Sequence, residues 1–259
     1  MASHMSSIGF PAQSVDEFKV LAKRAVTQAA QTITIPGIGY YRQWSPGAGV
    51  ELWVDVNQQI QILGLNPHFD GKARMRVRLV NRVLHPNDTV LEGAFYGWAN
   101  PRAGATTEGD YPFCFSAPDY RLHDKMTLPS EVTVQLAAFP RSTLAFENQE
   151  AMRSSNTWMN QMAPESCIPS GLFLPKGQKI DPPNPEIMFC GTVQDTSQLT
   201  NPATGHPFFS ARVRTLGGEL DVVADPAIVK GTIKKNGIIG SMSWLSGRIQ
   251  KFPLSTRIS

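Results

Sequence analysis

Cysteine, histidine and net charge are all in short supply in this chain, and each shortage narrows what it can do. The three cysteines, Cys114, Cys167 and Cys190, are an odd number with no metal-type spacing, so they read as reduced, mostly buried thiols. Five histidines become four, His68, His85, His123 and His206, once Met1-Ala-Ser-His-Met5 is set aside as an expression-vector scar. The nearest approach to a metal set is Asp119-Tyr-Arg-Leu-His123-Asp124, with His68 and His85 as remote partners. It matches no standard zinc arrangement and reads better as a surface loop, so no metal or cofactor is implied. No apolar run reaches membrane length, and nothing after the scar has the basic and then apolar build of a secretory signal; the expected location is the cytoplasm, with no membrane partner.

Catalytic motifs are scarce too. Ser170, Ser243 and Ser246 lack the glycine-flanked elbow of a hydrolase, and no glycine run matches a phosphate loop or a dinucleotide fingerprint. A carboxylate pair such as Glu92 with Glu108 or Asp110 would work only if folding brought the two together. No catalytic residue is assigned, and binding is favoured over catalysis. The net charge of +3 is too small to argue for nucleic acid, but its placement is uneven: residues 1–185 hold 16 basic and 16 acidic side chains, residues 186–259 hold 8 and 5.

What the chain does have is punctuation. The 21 glycines and 20 prolines recur between short alternating runs, the pattern of an all-β protein, and 41% apolar with 17% charged residues marks a folded one. Ser14-Val-Asp-Glu17 is a capping box that starts a helix expected to run to about Gln31, with Leu21, Ala22, Ala25 and Val26 facing a sheet. The prolines of 164–185 suit neither a helix nor a central strand, so this stretch is expected to be an extended crossover. It would join a β domain over 6–163, an antiparallel sandwich or barrel carrying the N-terminal helix, to a second β unit over 186–259. Trp158, Met159 and Met162 before it suggest a flap over an apolar surface.

The stretch around which the first unit is organised is Gly49–Val83. In Lys72-Ala-Arg-Met-Arg-Val-Arg-Leu79 the basic residues Lys72, Arg74, Arg76 and Arg78 alternate with apolar ones, the strand period, and Glu51, Trp53 and Asp55 alternate likewise with Leu52, Val54 and Val56. Two readings stay open. Glu51 and Asp55 could lie beside Arg74 and Arg78 and neutralise them across strands. Alternatively, the four cations form a ladder that tracks a polyanion. Trp44, Trp53, Tyr96, Trp98 and Tyr111 have exposed parity, which sugar- or protein-binding sandwiches use and which sheet edges also explain.

The second unit reads as strand 187–195, turn 201–205, strand 208–216, a hairpin at Gly217-Gly218, strand 219–224, a helical turn near Pro226–Val229, and one or two strands over Gly237–Ile249. The order Cys190-Gly-Thr-Val193, Asn201-Pro-Ala-Thr-Gly205 with Phe208-Phe209, Val222-Val-Ala224 and Trp244-Leu-Ser-Gly-Arg-Ile249 resembles an OB-fold domain over about residues 186–252. That resemblance implies a small closed β barrel whose exposed sheet face and loops bind oligonucleotides or oligosaccharides. The contact residues chosen on chemical grounds are Phe208, Phe209 and Trp244 as stacking platforms, and Arg212, Arg214, Lys234, Lys235, Arg248 and Lys251 as phosphate cations. The leading expectation is a non-enzymatic protein that binds single-stranded nucleic acid or another polyanion through these residues and the 72–78 ladder. The alternatives are a structural or interaction protein that docks a protein partner or a second copy, and an enzyme whose site is assembled from distant residues.

Overall fold

The computed structural model describes residues 4–104, 108–170 and 183–250. It is an all-β protein with one substantial helix. The capping box closes at both ends: Ser14 Oγ accepts from the backbone N–H of Glu17, and the Glu17 carboxylate accepts from Ser14 N at 2.8 Å. Helix α1 (Val15–Gln28) follows and buries Leu21, Ala22 and Ala25. It stops short of Gln31 because Gln31-Thr-Ile-Thr-Ile35 alternates and joins a sheet as strand β1, an element the sequence reading did not separate from the helix. Ahead of α1, a buried 3-10 turn at Ser6–Ile8 is held down by Asn201, whose Nδ2 donates to Ile8 O at 2.7 Å, and by Thr204, whose hydroxyl donates to Gly9 O.

The first sheet is an antiparallel meander of β1 (Gln31–Ile35), β2 (Gly39–Gly47), β3 (Val50–Asn57) and β4 (Ile62–Phe69). Strand β3 is covered on both faces. Leu52, Val54 and Val56 pack with Leu21 and Ala25 of α1, while Trp53 packs with Tyr41 and Leu91 on the other side. Glu51 and Asp55 are therefore buried, not part of a solvated outer face.

The second sheet is built twice on one plan. Strands β5 (Met75–Val83), β6 (Ala94–Ala99) and β7 (Tyr111–Ser116) form an antiparallel meander, followed by a 3-10 turn at Tyr120–His123 and a long strand β8 (Ser130–Phe146). After α2 (Gln149–Arg153), a 3-10 turn at Trp158–Gln161 and the short edge strand β9 (Ser166–Pro169), the plan repeats. Strands β10 (Glu186–Thr200), β11 (Pro207–Thr215) and β12 (Gly218–Ala224) form a meander, Pro226–Ile228 makes the turn, β13 (Val229–Lys230) adds a short parallel bridge to β8, and β14 (Ile238–Gln250) is the long strand. The hairpin at Gly217-Gly218 is as expected, with Gly217 at φ +82°, where a Cβ would also lie 2.9 Å from Ala99 Cβ.

The two long strands close both halves. β8 and β14 pair antiparallel from Thr133↔Gln250 to Phe146↔Ile238. β14 then meets β7 in parallel at Ser246↔Ser116, and β8 meets β12 in parallel at Asp221↔Ala137 and Val222↔Ala138. One ring runs β5–β6–β7–β14–β8 and the other β10–β11–β12–β8–β14, each completed by the other's long strand. The crossover expected at 164–185 thus divides the sequence but not the sheet: strands from 6–163 and from 186–250 share one core, in which Leu136 and Phe115 lie with Val213 and Leu245. Residues 171–182 of that stretch lie outside the described residues, as do Lys251 and the start of the scar, Met1–Ser3.

Pro140 sits inside β8 because the pairing there is irregular. The register passes from Ser142↔Met242 to Pro140↔Ser243 and skips Arg141, so the proline's missing donor falls at a bulge. Of the segment expected to form a flap, Met159 is buried with Cys190 and Ile238 and Met162 packs partly against them, while Trp158 is exposed.

Candidate ligand-binding cleft

The residues singled out from the sequence are dispersed by the fold. Strand β5 begins only at Met75, so Lys72 and Arg74 precede it, exposed, with the Arg74 guanidinium donating to Gly71 O and Ala73 O. Arg76 and Arg78 both pair with Glu131 of β8, which lies directly opposite Arg78 in the register. The two guanidinium hydrogen bonds, Arg78's first, hold the Glu131 carboxyl below its ordinary range. The neutralising carboxylate is thus Glu131, not Glu51 or Asp55, which belong to the other sheet. In the second half, Arg212 pairs with Glu219, Arg214 with Glu165 and Lys234 with Glu147, while Lys235 is exposed. Phe208 is fully buried edge-on to Phe69, so it has no face for a base, and Phe209 is half-buried against the core.

Arg248 serves a buried cluster. Its guanidinium contacts Glu51 at 3.3 Å and Asp119 at 3.5 Å and lies 4.9 Å over the Trp53 ring, while Trp53 Nε1 and Gln43 Nε2 each donate to Glu51 at 2.9 Å. Burial pushes the Glu51 carboxyl up, opposed by Arg248. Asp119 is not on a surface loop: it is buried, 3.4 Å from His123 Nε2, and its carboxyl is held down by His123 and Arg248 against the cost of burial. The partners of Glu92 are Asn66 and Thr89, with Asp55 beside it, while Glu108 pairs with Arg102 and Asp110 accepts from Asn100; Asn66 Nδ2 donates to Asp55 Oδ2 at 3.1 Å and to Glu92 Oε1 at 3.2 Å. Of the aromatics given exposed parity, Trp44, Trp53 and Tyr111 are buried. Among the described residues no group of three His, Cys, Asp or Glu could hold a metal ion, and no helix is long and apolar enough to cross a membrane.

One of the chosen residues does reach open space. Trp244 of β14 stands opposite Phe139 of β8, at 5.2 Å between ring centroids, and forms part of the wall of a cleft of about 610 Å³. The cleft lies where β4, the loop before β6, the end of β7 and the β8 bulge meet, which no stretch of sequence reveals. Asn66 comes from β4, Asp88 and Glu92 from the loop, Ser116 from the end of β7, and Arg141 from the skipped position of the bulge. Trp244 Nε1 donates to Ser116 Oγ at 3.2 Å, which fixes the indole plane. Its ring face is already occupied: the His4 imidazole stacks on it at 4.8 Å with 9° between the planes, and burial first, with Arg141 second, pushes the imidazole down to about 4.

Behind the cleft runs a buried polar chain that joins the two sheets. Gln135 Nε2 donates to Phe69 O at 3.0 Å and Asp221 Oδ2 at 2.8 Å, so its Oε1 faces His68 Nε2 at 2.7 Å and accepts from it. His68 Nδ1 is then the acceptor, and Ser246 Oγ, 2.8 Å away, donates to it. Burial pushes the His68 imidazole down to about 3, so it stays neutral. The serine and histidine meet as a nucleophile and base would, but Ser246 and His68 are fully enclosed and Nε2 faces an amide rather than a carboxylate. The arrangement is a satisfied structural network.

No family model matches this chain, and no curated protein or solved structure matches it either.

Proposed function

We propose that this protein is a non-enzymatic binding protein that holds a flat ring of its ligand against Trp244. The observation that carries this reading is the His4 ring stacked on Trp244 at the cleft wall, which supports an indole face matched to a planar ring at contact distance. His4 itself lines the cleft, within the Met1–Met5 stretch whose sequence reads as a vector scar, so the reading is tested with His4 removed. The cleft has the concave form and the few convergent polar groups of a small-molecule site. The OB resemblance agrees with it: Trp244 belongs to the ring of β10–β12, a 3-10 turn and β14, although that ring is completed by β8 rather than by a strand following β14.

The polyanion reading has weaker support. The ion pairs of Arg76, Arg78, Arg212, Arg214, Lys234 and Arg248 would have to be given up, and Phe208 is enclosed. Lys72, Arg74 and Lys235 are exposed and outside any ion pair among the described residues. Anisotropy titration with poly-dT at low and physiological salt tests it, since counterion release would make affinity fall steeply with salt. The cleft itself is tested by tryptophan fluorescence of a His4→Ala protein titrated with nucleosides and methyl glycosides. Saturable quenching that disappears in Trp244→Phe supports the reading; a response that persists in that variant, or none from any ring, overturns it.

A further inference from the structure

Resting on that reading of the cleft, we infer that its ligand is an amino-substituted planar heterocycle, of the aminopurine or aminopyrimidine kind, which donates N–H groups to a wall of acceptors. The inference comes from the side-chain donors and acceptors of the polar residues that line the cleft. Asn66 has two N–H donors, and both are committed, one to Asp55 and one to Glu92, which leaves its carbonyl oxygen as an acceptor. The Trp244 N–H is committed to Ser116. Ser246 has given its hydrogen to His68, a direction fixed by Gln135 behind it. The Ser116 hydroxyl hydrogen remains, as do the N–H groups of Arg141 that are not spent on its pairing with Glu186.

Acceptors, by contrast, are in excess. Glu92 takes one hydrogen bond on each oxygen, from Asn66 and from Thr89 N, and each oxygen keeps a second lone pair. Asp88 Oδ2 accepts from His85 N at 2.7 Å and lies 3.4 Å from His85 Nδ1, which leaves Asp88 Oδ1 as its open acceptor. A ligand that brought further acceptors, or a phosphate, would face two carboxylates with one already paired cation to compensate. A flat ring bearing amino groups satisfies both halves of the site: its face meets the indole and its N–H edge meets the carboxylates, as charge-assisted hydrogen bonds.

The experiment compares adenosine with purine riboside, which lacks only the exocyclic amine, by calorimetric titration of the His4→Ala protein, alongside adenosine 5′-monophosphate and a methyl glucoside. Adenosine is expected to bind about tenfold tighter than purine riboside, the scale of one hydrogen bond to a charged acceptor, and at least as tightly as its monophosphate. The preference should shrink in Glu92→Gln and in Asp88→Asn; the second variant leaves the Asn66 and Thr89 bonds to Glu92 in place. If both purine nucleosides bind equally and binding is lost in Trp244→Phe, the ring reading stands and the donor inference is overturned. A tighter monophosphate or a tighter glucoside also overturns it. Absence of binding by every probe removes the ring reading and the inference together.

Discussion

His68 of β4 and Ser246 of β14 meet at 2.8 Å with neither side chain exposed, one of several side-chain hydrogen bonds that tie the two sheets. Replacing His68 by Ala orphans Ser246 Oγ and Gln135 Oε1 and opens a cavity between the sheets. The expected loss is about 2–5 kcal/mol of unfolding free energy in urea, from the cavity and the unmet polar groups. Ser246→Ala should cost less, since one bond is lost and little volume. Equal, small effects from both would show that the sheets are held together elsewhere.

The same histidine sets an acid limit. Its folded pKa, about 3, lies below the ordinary 6.5, so the folded state binds fewer protons than the unfolded chain between those values. The neutral His68 contributes its stability above pH 6.5, and that contribution is lost as pH falls through this window. His68→Gln should flatten the acid side of the stability profile; an unchanged slope would contradict the assignment.

Asp55 acts in the opposite sense. Burial, and then the Glu92 charge, raise its carboxyl well above 3.8, so the folded state holds the proton longer than the unfolded chain does. Its contribution is present below the ordinary carboxyl range and is lost as pH rises through the raised value. Asp55→Asn keeps the shape without the charge, so its stability relative to the parent should improve as pH rises above the ordinary carboxyl value and level off once the raised value is passed. A difference independent of pH would show that Asp55 titrates normally.

Arg248 holds two buried carboxylates. Arg248→Met leaves Glu51 and Asp119 without their cation and is expected to cost about 3–5 kcal/mol, because the desolvated charges remain. Arg248→Lys, which cannot span both acceptors with a planar fork, should recover only part of this. If the Met variant is as stable as the parent, Glu51 takes up a proton at little cost and the cluster is not ionic.

Burial pushes the thiols of Cys114, Cys167 and Cys190 up to about 12 each. A thiol reagent should leave the native protein unmodified at pH 8 and react with all three cysteines in denaturant. Rapid labelling of a native thiol would place that residue nearer to solvent.

Features whose cause is local were legible in the sequence. The helix start is written in Ser14 and Glu17, the β11–β12 hairpin in Gly217-Gly218, and the inward face of β5 in the parity of Met75, Val77 and Leu79. Features that depend on pairing at a distance were not. Glu131 is opposite Arg78 only because β5 and β8 pair, and the alternation of Glu51 and Asp55 pointed to solvent while β3 was in fact covered on both sides. Alternation reports a strand but not whether its second face will find a partner. The shared strands β8 and β14 were hidden for the same reason, since their pairing joins segments separated by the Pro-rich stretch. Trp244 could be named as an aromatic platform from its type alone, but its cleft required Asn66, Glu92, Ser116 and Arg141 from four separate segments.

The most direct measurement is the indole region of a proton–nitrogen NMR spectrum of the His4→Ala protein, with the signal of Trp244 assigned by its disappearance in Trp244→Phe. Five tryptophans give five indole signals. Addition of adenosine is expected to shift the Trp244 signal saturably, with those of the buried Trp44 and Trp53 and of the exposed Trp158 left in place. A silent Trp244 signal, or a shift confined to another tryptophan, would contradict the claim that this cleft is where the protein binds its ligand.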